Sequence, residues 1–156
     1  MKTQTEVKQN IEEIRHLFVI MARQFGLLQK ESSECCGITS IESHILYEIK
    51  RAHHLSLNEL AERLDLDNST ISRHIHRLVE KNLVQRQPDP KDRRYVTLNL
   101  TDEGATLEKG INEMMIMWVD DIFSYLPKSK IQSMSSELRL LTEAMSKSEY
   151  CCRPPI

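Results

Sequence analysis

Residues 55–104 read LSLNELAERLDLDNSTISRHIHRLVEKNLVQRQPDPKDRRYVTLNLTDEG, and this stretch holds the patterns that decide the fold. Ser56 followed three positions later by Glu59 is a capping box, which predicts a short helix over residues 57–64. A tight polar turn follows, and apolar positions then return at helical spacing, which predicts a second helix over residues 68–82, capped near its first residues. Two short helices joined by a tight turn form the frame of a helix-turn-helix.

The second of these helices has two different faces. Ile71, Ile75 and Leu78 share one face and are expected to enter the core, and His74 is expected to pack beneath the helix. A helix of this length fits the major groove of B-DNA, where hydroxyl, imidazole and guanidinium groups hydrogen-bond base edges. The candidate DNA contacts on its outward faces are Ser69, Thr70, Ser72, Arg73, His76 and Arg77.

After the second helix the hydrophobic period changes. Val96, Leu98 and Leu100 alternate with polar or aromatic residues, which predicts a strand. Residues 87–94 contain two prolines and several charges, so they are expected to form the turn of a two-stranded hairpin. A guanidinium at such a tip can enter the negative minor groove, oriented by a neighbouring aspartate. The candidate contacts at this tip are Lys91, Asp92, Arg93 and Arg94.

A further helix is predicted ahead of the quoted stretch. Thr39 and Glu42 form another capping box, which opens a helix that runs to about Lys50. Three helices followed by a hairpin constitute a winged helix, so residues 39–100 are expected to form a winged helix-turn-helix. The fold class is therefore mainly α with a small β-hairpin wing.

The charge pattern agrees with a nucleic-acid surface in the middle of the chain. The net charge of the whole chain is −2, but residues 73–94 hold seven Lys or Arg against three acids, which leaves −6 for the remainder. A basic patch on an otherwise acidic protein is typical of a surface that faces phosphates.

Long amphipathic helices are predicted on both sides of this region. Their apolar residues recur at steps of three and four and form narrow seams, and a single subunit of 156 residues has too little core to cover them all. We therefore expect one domain of six helices that forms an intertwined homodimer through residues 1–30 and 101–150. The seam residues are Ile11, Ile14, Phe18, Met21, Phe25 and Leu28 in the first helix, Leu107, Ile111, Met114, Trp118, Ile122 and Tyr125 in the fifth, and Ile131, Met134, Leu138, Leu141 and Met145 in the sixth.

The quoted stretch resembles the core of the MarR family, the multiple antibiotic resistance regulators. The resemblance implies that residues 69–77 enter the major groove of a pseudo-palindromic operator, and that Asp92, Arg93 and Arg94 match the signature of the family's wing. Asp65 stands where a glycine is common, and aspartate tolerates the left-handed backbone better than most residues. The implied function is a regulator that represses nearby genes and is released from DNA by a small ligand, an oxidant or a metal. The alternative is a winged helix that contacts proteins without sequence-specific DNA binding.

The four cysteines form two vicinal pairs. Cys35 and Cys36 lie in residues 31–37, where the helical pattern of the first helix is interrupted, and Cys151 and Cys152 follow the last helix. Adjacent cysteines rarely bridge each other, so the pairs suit thiol exchange or binding of a soft metal or metalloid ion by four thiolates. Three alternatives are open: a thiol-based sensor, a conventional pocket for an organic ligand between the dimer and DNA-binding parts, and a protein without an effector.

Several classes of protein are not expected. The sequence shows no nucleophile-base set, phosphate loop or metal-hydrolase spacing, so we expect no enzyme and no required cofactor. It shows no secretory signal and no run of about 18 apolar residues, so we expect a cytoplasmic protein without a membrane partner.

Overall fold

The computed structural model describes residues 4–52, 55–89 and 95–148, with side chains from residue 6 to 26 and from residue 36 onward within those ranges. It contains six helices and three short strands in these ranges. In chain order they are α1 (Gln4–Cys35), α2 (Ser40–Arg51), β1 (Leu55–Ser56), α3 (Leu57–Leu64), α4 (Asn68–Glu80), β2 (Val84–Pro88), β3 (Val96–Leu100), α5 (Asp102–Ser124) and α6 (Lys128–Lys147).

Both predicted capping boxes are confirmed. The Thr39 hydroxyl accepts the Glu42 amide at 3.2 Å, and the Glu42 carboxylate accepts the Thr39 amide at 3.0 Å. Ser56 and Glu59 make the same pair of bonds at the start of α3. Each pair satisfies amide groups that the first turn of a helix leaves without a partner, and so fixes where the helix begins.

Three local details of the helices differ from the expectation. Asp67, rather than Asn68 or Ser69, caps α4, because its carboxylate accepts the Thr70 amide at 2.8 Å. Helix α4 ends at Glu80, two residues earlier than predicted, since Asn82 adopts a left-handed backbone with φ 55°. Helix α1 continues to Cys35, so the predicted interruption over residues 31–37 shrinks to a turn after it.

The turn between α3 and α4 depends on Asp65. This residue caps α3 with φ 51° and ψ 46°, which is the left-handed conformation that the sequence predicted for it. Three residues, 65–67, connect α3 to α4, and the two helices pack against each other.

The wing is a three-stranded antiparallel sheet of order β1-β3-β2. Its central hairpin pairs Val84 with Leu100 and Gln87 with Thr97, as the alternating pattern indicated. The third strand, β1, was not predicted, because two residues are too few to show a period. Leu55 of β1 pairs with Leu98 and joins the sheet to the core.

The core lies between α2, α3, α4 and the sheet. Its fully buried members come from every one of these elements, and the apolar face predicted for α4 is among them. They are Ile45 and Leu46 of α2, Leu55 of β1, Leu60 of α3, Ile71, Ile75 and Leu78 of α4, Val84 of β2, and Leu98 of β3. This continuous core holds one face of α4 in place and leaves the other face in solvent.

Helix α5 is joined tightly to the base of the wing. A Cβ added at Gly104 would lie 1.9 Å from the carbonyl oxygen of Leu83, so only glycine fits there. The Thr101 hydroxyl donates to the Asn82 carbonyl at 2.6 Å and accepts the Gly104 amide at 2.9 Å. The start of α5 therefore follows the position of the hairpin.

The terminal helices bury little in a single subunit. Helix α6 has no buried residue, and the last buried residue of α5 is Ile111. Phe25 of α1 meets Trp118 of α5 edge to face, with ring centroids 4.9 Å apart. Most of the predicted seams are nevertheless open to solvent, including Ile11, Ile14, Phe18, Met114, Ile122, Ile131 and Leu138.

Candidate nucleic-acid interface

The outward face of α4 presents the predicted polar and cationic residues. Ser69, Arg73 and His76 are exposed, and Thr70 and Ser72 are half-buried at the edge of the same surface. His74 is 8% exposed and lies beneath the helix, as expected. The face is therefore free to enter a groove while the opposite face stays in the core.

The first turn of α4 is ordered by Asp67. Its carboxylate accepts the Ser69 hydroxyl, the Thr70 hydroxyl at 2.7 Å and the Thr70 amide at 2.8 Å. The Ser69 hydroxyl, with the hydroxyl and amide of Thr70, holds the pKa of Asp67 well below its usual range. Because the two hydroxyl protons point to Asp67, both hydroxyl oxygens act as acceptors, for donors such as an arginine or the amino groups of bases.

Arg73 lies against this ordered turn. Its Nη2 donates to the Thr70 hydroxyl at 3.1 Å, and its Nε donates to the Ser69 carbonyl at 3.4 Å. Both bonds are exposed and neither partner is an acid, so the guanidinium keeps its positive charge at the surface. This geometry suits a contact with a guanine edge or a phosphate.

Arg77 has a different environment, although it lies only one turn further along the helix. Its Nε is 3.2 Å from Oε1 of Glu42 on α2, and its Nη2 is 2.9 Å from Nδ1 of His74. A guanidinium only donates, so Nδ1 of His74 is the acceptor in that contact. Arg77 was predicted among the DNA contacts, but here it is bound to its own protein on one side and half-exposed on the other.

Glu42 is the residue that sequence reasoning assigned to capping alone. Its carboxylate is 1% exposed and also lies 3.4 Å from Nζ of Lys81, which in turn donates to the Gly37 carbonyl at 2.8 Å. Burial alone would raise the pKa of Glu42, but the Thr39 amide and the Lys81 charge outweigh it and hold that pKa below its ordinary value. The capping box was the visible pattern, and nothing in the sequence showed that α4 packs over it.

The wing is described up to the base of its tip. The Asp89 amide donates to the Tyr95 carbonyl at 2.8 Å and closes the hairpin, and Arg86 of β2 is exposed. The predicted tip contacts Lys91, Asp92, Arg93 and Arg94 lie outside the described residues.

One cavity lies between α2 and α5, away from the DNA-facing surface. It has a volume of about 280 Å³ and a mostly apolar wall that includes Ile111 and Met115. Glu108 borders it and is 6% exposed. Burial raises the pKa of Glu108, partly offset by the charge of Lys50. Glu108 falls on the buried face of α5, and a carboxylate at such a position could have indicated this site from the sequence. It was missed because the prediction for α5 considered only apolar residues at helical spacing.

The cysteines are described only in part. Cys36 lies half-buried in the turn after α1, at the border of an open cavity that Lys81 also lines. The side chain of Cys35 and the whole of Cys151 and Cys152 lie outside the described residues, so the predicted four-thiolate site is not tested. Within the described ranges, no group of three or more His, Cys, Asp or Glu side chains is arranged to hold a metal ion.

These elements define a class of protein: a helix-turn-helix, a three-stranded wing and long flanking helices make a winged helix-turn-helix. Residues 38–96 match the family model described as MarR family. The repressor MdtR of Bacillus subtilis is 39% identical over 74 residues, which cover 47% of this chain and 48% of MdtR. The chain thus spans about half the length of that relative.

Solved structures extend the similarity to the flanking helices. A MarR transcriptional regulator from Methanosarcina mazei superposes with a TM-score of 0.75 at 26% identity, over 87% of this chain and 98% of that one. The MepR protein of S. aureus, solved as a complex with DNA, superposes with a TM-score of 0.70 at 20% identity, over 84% of this chain and 95% of MepR. The winged helix of this chain, residues 38–96, is thus similar to the MarR family. No helix in the described ranges is long and apolar enough to cross a membrane.

Proposed function

We propose that this protein is a homodimeric transcriptional regulator that binds a pseudo-palindromic site in double-stranded DNA and represses nearby genes, in the cytoplasm. The observation that carries the proposal is the division of α4 into two faces. Ile71, Ile75 and Leu78 fix one face in the core, while Asp67 orders the hydroxyls and the arginine at the start of the other. A rigid helix with ordered polar groups at its first turns is what direct reading of a major groove requires.

The exposed seams support the dimer. Apolar side chains on α1, α5 and α6 lie in solvent in a single subunit, with Met117 at 72% and Leu140 at 67% exposed. Large apolar surfaces of this kind mark protein interfaces, and a twofold interface pairs each seam with its copy. Two recognition helices related by a twofold axis read two half-sites about one turn of DNA apart.

The basic wing tip supplies the second contact in this proposal. Lys91, Asp92, Arg93 and Arg94 are predicted to lie over the minor groove beside each recognition helix. The similarity to the repressor MdtR and to MepR, which was solved as a complex with DNA, supports duplex DNA as the partner. The rival function, a winged helix that contacts proteins only, gives no reason for the ordered donors and acceptors on α4.

The cavity between α2 and α5 is the proposed site of an organic effector. It lies between the DNA-reading part and the seam of α5, so a ligand there can change the angle between the two. Glu108 offers a largely buried carboxylate at the border of this cavity, which favours a ligand with a cationic or donor group on an apolar body.

Matched ligands test this effector site. Benzamidine, benzamide and benzoate have nearly the same size and differ in charge, and the DNA-free protein is monitored by thermal unfolding with each. We expect benzamidine to raise the melting temperature of the wild type but not of Glu108→Gln, with Glu113→Gln on the exposed side of α5 as the control. A preference for benzoate would contradict the assignment of Glu108.

The cysteine pairs remain a separate proposal for regulation. Peroxide, Zn(II) and a trivalent arsenical are added to the protein on its DNA, in parallel with a variant in which Cys35, Cys36, Cys151 and Cys152 are serine. Release of the wild type alone would assign the sensor to the thiols and a soft ion. An equal response of both proteins would remove the thiols from the mechanism.

DNA binding itself is tested by gel-shift titration on the DNA upstream of the protein's own gene, with a scrambled duplex for comparison. Arg73→Ala is expected to lose about 1–3 kcal/mol of specific binding, because it removes a side chain placed for a base or phosphate contact. Arg51→Ala on α2 removes the same charge far from that face and is expected to bind normally. Equal binding by Arg73→Ala and the wild type would favour the protein-contact alternative.

A further inference from the structure

Three cationic side chains are spaced by four residues along the recognition helix and its end. Arg73, Arg77 and Lys81 therefore project from nearly the same side of α4. Their partners differ: Arg73 bonds to a hydroxyl and a carbonyl, whereas Arg77 and Lys81 both contact the carboxylate of Glu42. The positive charge on this side of the helix is thus uneven along its length.

The carboxylate of Glu42 is held firmly in place. It is 1% exposed, and the Thr39 amide donates to it from the first turn of α2 at 3.0 Å. The bond to Thr39 and the cations beside it keep the pKa of Glu42 below its ordinary value despite burial, so it is ionised at neutral pH. The charge is fixed at the joint where α2 begins.

The two cations bound to Glu42 are not fully withdrawn from solvent. The side chains of Arg77 and Lys81 are 50% and 42% exposed, so each is also open to solvent and to an approaching phosphate. To contact a phosphate with its full charge, Arg77 or Lys81 has to give up its contact with Glu42. The buried carboxylate of Glu42 then has fewer partners. Uncompensated buried charge is unfavourable, so the contact with phosphate is weakened.

We propose that Glu42 is a positioning residue that holds Arg77 and Lys81 against α2, away from the phosphates, and so limits binding to DNA of any sequence. This inference rests on the proposed DNA-binding function. Sequence-independent affinity depends mainly on the number of phosphates that cations neutralise, and specificity depends on base contacts at the start of α4. By binding both cations of the second half of the helix, Glu42 leaves discrimination to Ser69, Thr70 and Arg73.

The test compares Glu42→Gln with the wild type on a scrambled 30-base-pair duplex by fluorescence anisotropy from 50 to 200 mM KCl. Glutamine keeps an acceptor for the Thr39 amide and removes the charge. We expect tighter binding to the scrambled duplex at 50 mM KCl. In the variant, Arg77 and Lys81 are free to contact about two more phosphates, which makes the dependence of affinity on salt steeper. Affinity should therefore fall about tenfold more between 50 and 200 mM KCl than in the wild type.

Glu48→Gln is the matched control. Glu48 also lies on α2 and pairs with an arginine, Arg63, at 3.1 Å, but that arginine is on α3. The Glu48→Gln variant has the same change of net charge as Glu42→Gln, and we expect it to keep the salt dependence of the wild type. An equal effect of Glu48→Gln and Glu42→Gln, or no change in Glu42→Gln, would overturn the inference.

Adding Arg77→Gln to Glu42→Gln should remove about half of the added salt dependence, since one of the two released cations is gone. If Glu42→Gln melts before the assay, Arg77→Gln and Lys81→Gln answer the question in the native background. Each is expected to change the salt dependence by less than about half a contact, and a loss of one full contact would overturn the inference. A wild type that binds neither upstream nor scrambled DNA would reject the proposed function itself.

Discussion

The two regions of this chain bury their apolar residues in different ways. In the winged helix, α2, α3, α4 and the sheet share a core in which Leu46, Leu60 and Ile75 are fully buried. In the flanking region, α6 has no buried residue, and the seams of α1 and α5 face solvent in a single subunit. The first region is folded by its own contacts, whereas the second leaves apolar seams that a second copy covers in the proposed dimer. One part of the chain would then position the recognition helix, and another part would hold the two subunits together.

The largest effect is expected in the core of the winged helix. Leu46→Ala removes a fully buried side chain, and the lost burial and the cavity should lower the free energy of unfolding by about 2–5 kcal/mol. Urea denaturation measures this, with Glu137→Ala on the exposed face of α6 as a control of little effect. A loss below about 1 kcal/mol would be smaller than such truncations cost in a packed core, and would mean that the winged helix does not depend on this core.

A charge in the seam of α1 should separate the two subunits of the proposed dimer while each winged helix stays folded. Phe18→Asp places a carboxylate where Phe18 is open in a single subunit and is expected to be covered in the dimer, so the dimer should dissociate. Loss of the second recognition helix should weaken operator binding by about 100-fold, while circular dichroism stays nearly unchanged. Sedimentation velocity reports the dissociation, and Asn10→Asp on the same helix controls for charge. A Phe18→Asp protein that remains a dimer would contradict the seam.

The smallest effect concerns the cavity where the two regions meet. The raised pKa of Glu108 means that its ionised form is disfavoured in the folded protein, so it reduces stability at neutral pH. Glu108→Gln should therefore melt about 1–3 °C higher than the wild type near pH 7. The difference should disappear as the pH falls below the ordinary pKa of glutamate, where the wild type is protonated as well. A difference in melting temperature that grows as the pH falls would have the opposite sign. It would contradict the conclusion that burial disfavours the ionised form of Glu108.

The sequence predicted those features that depend on local spacing. Two capping boxes, the left-handed Asp65, the two faces of α4 and the seams follow from positions close together in the chain, and each has its expected place. The cap of α4 was predicted near Asn68 or Ser69 but is Asp67. The position was missed because adjacent polar residues are equally suited to cap a helix.

The features that the sequence did not predict depend on distant residues. Strand β1 forms only because Leu55 meets Leu98, 43 positions away, and Glu42 meets Arg77 and Lys81 only once α4 has packed over α2. Glu108 could be recognised as buried only after α5 was placed against α2. A pattern within one element cannot show a partner in another, which is why the distinction between Arg73 and Arg77 required the structure.

The central claim is that two exposed α4 faces, brought together by the flanking helices, read one DNA site. Hydroxyl-radical footprinting of the upstream DNA, with the number of bound subunits measured on the same complex, tests it most directly. The account predicts two subunits per site and two protected patches related by a twofold axis and about one helical turn apart. One subunit per site, or uniform protection without twofold symmetry, would contradict it.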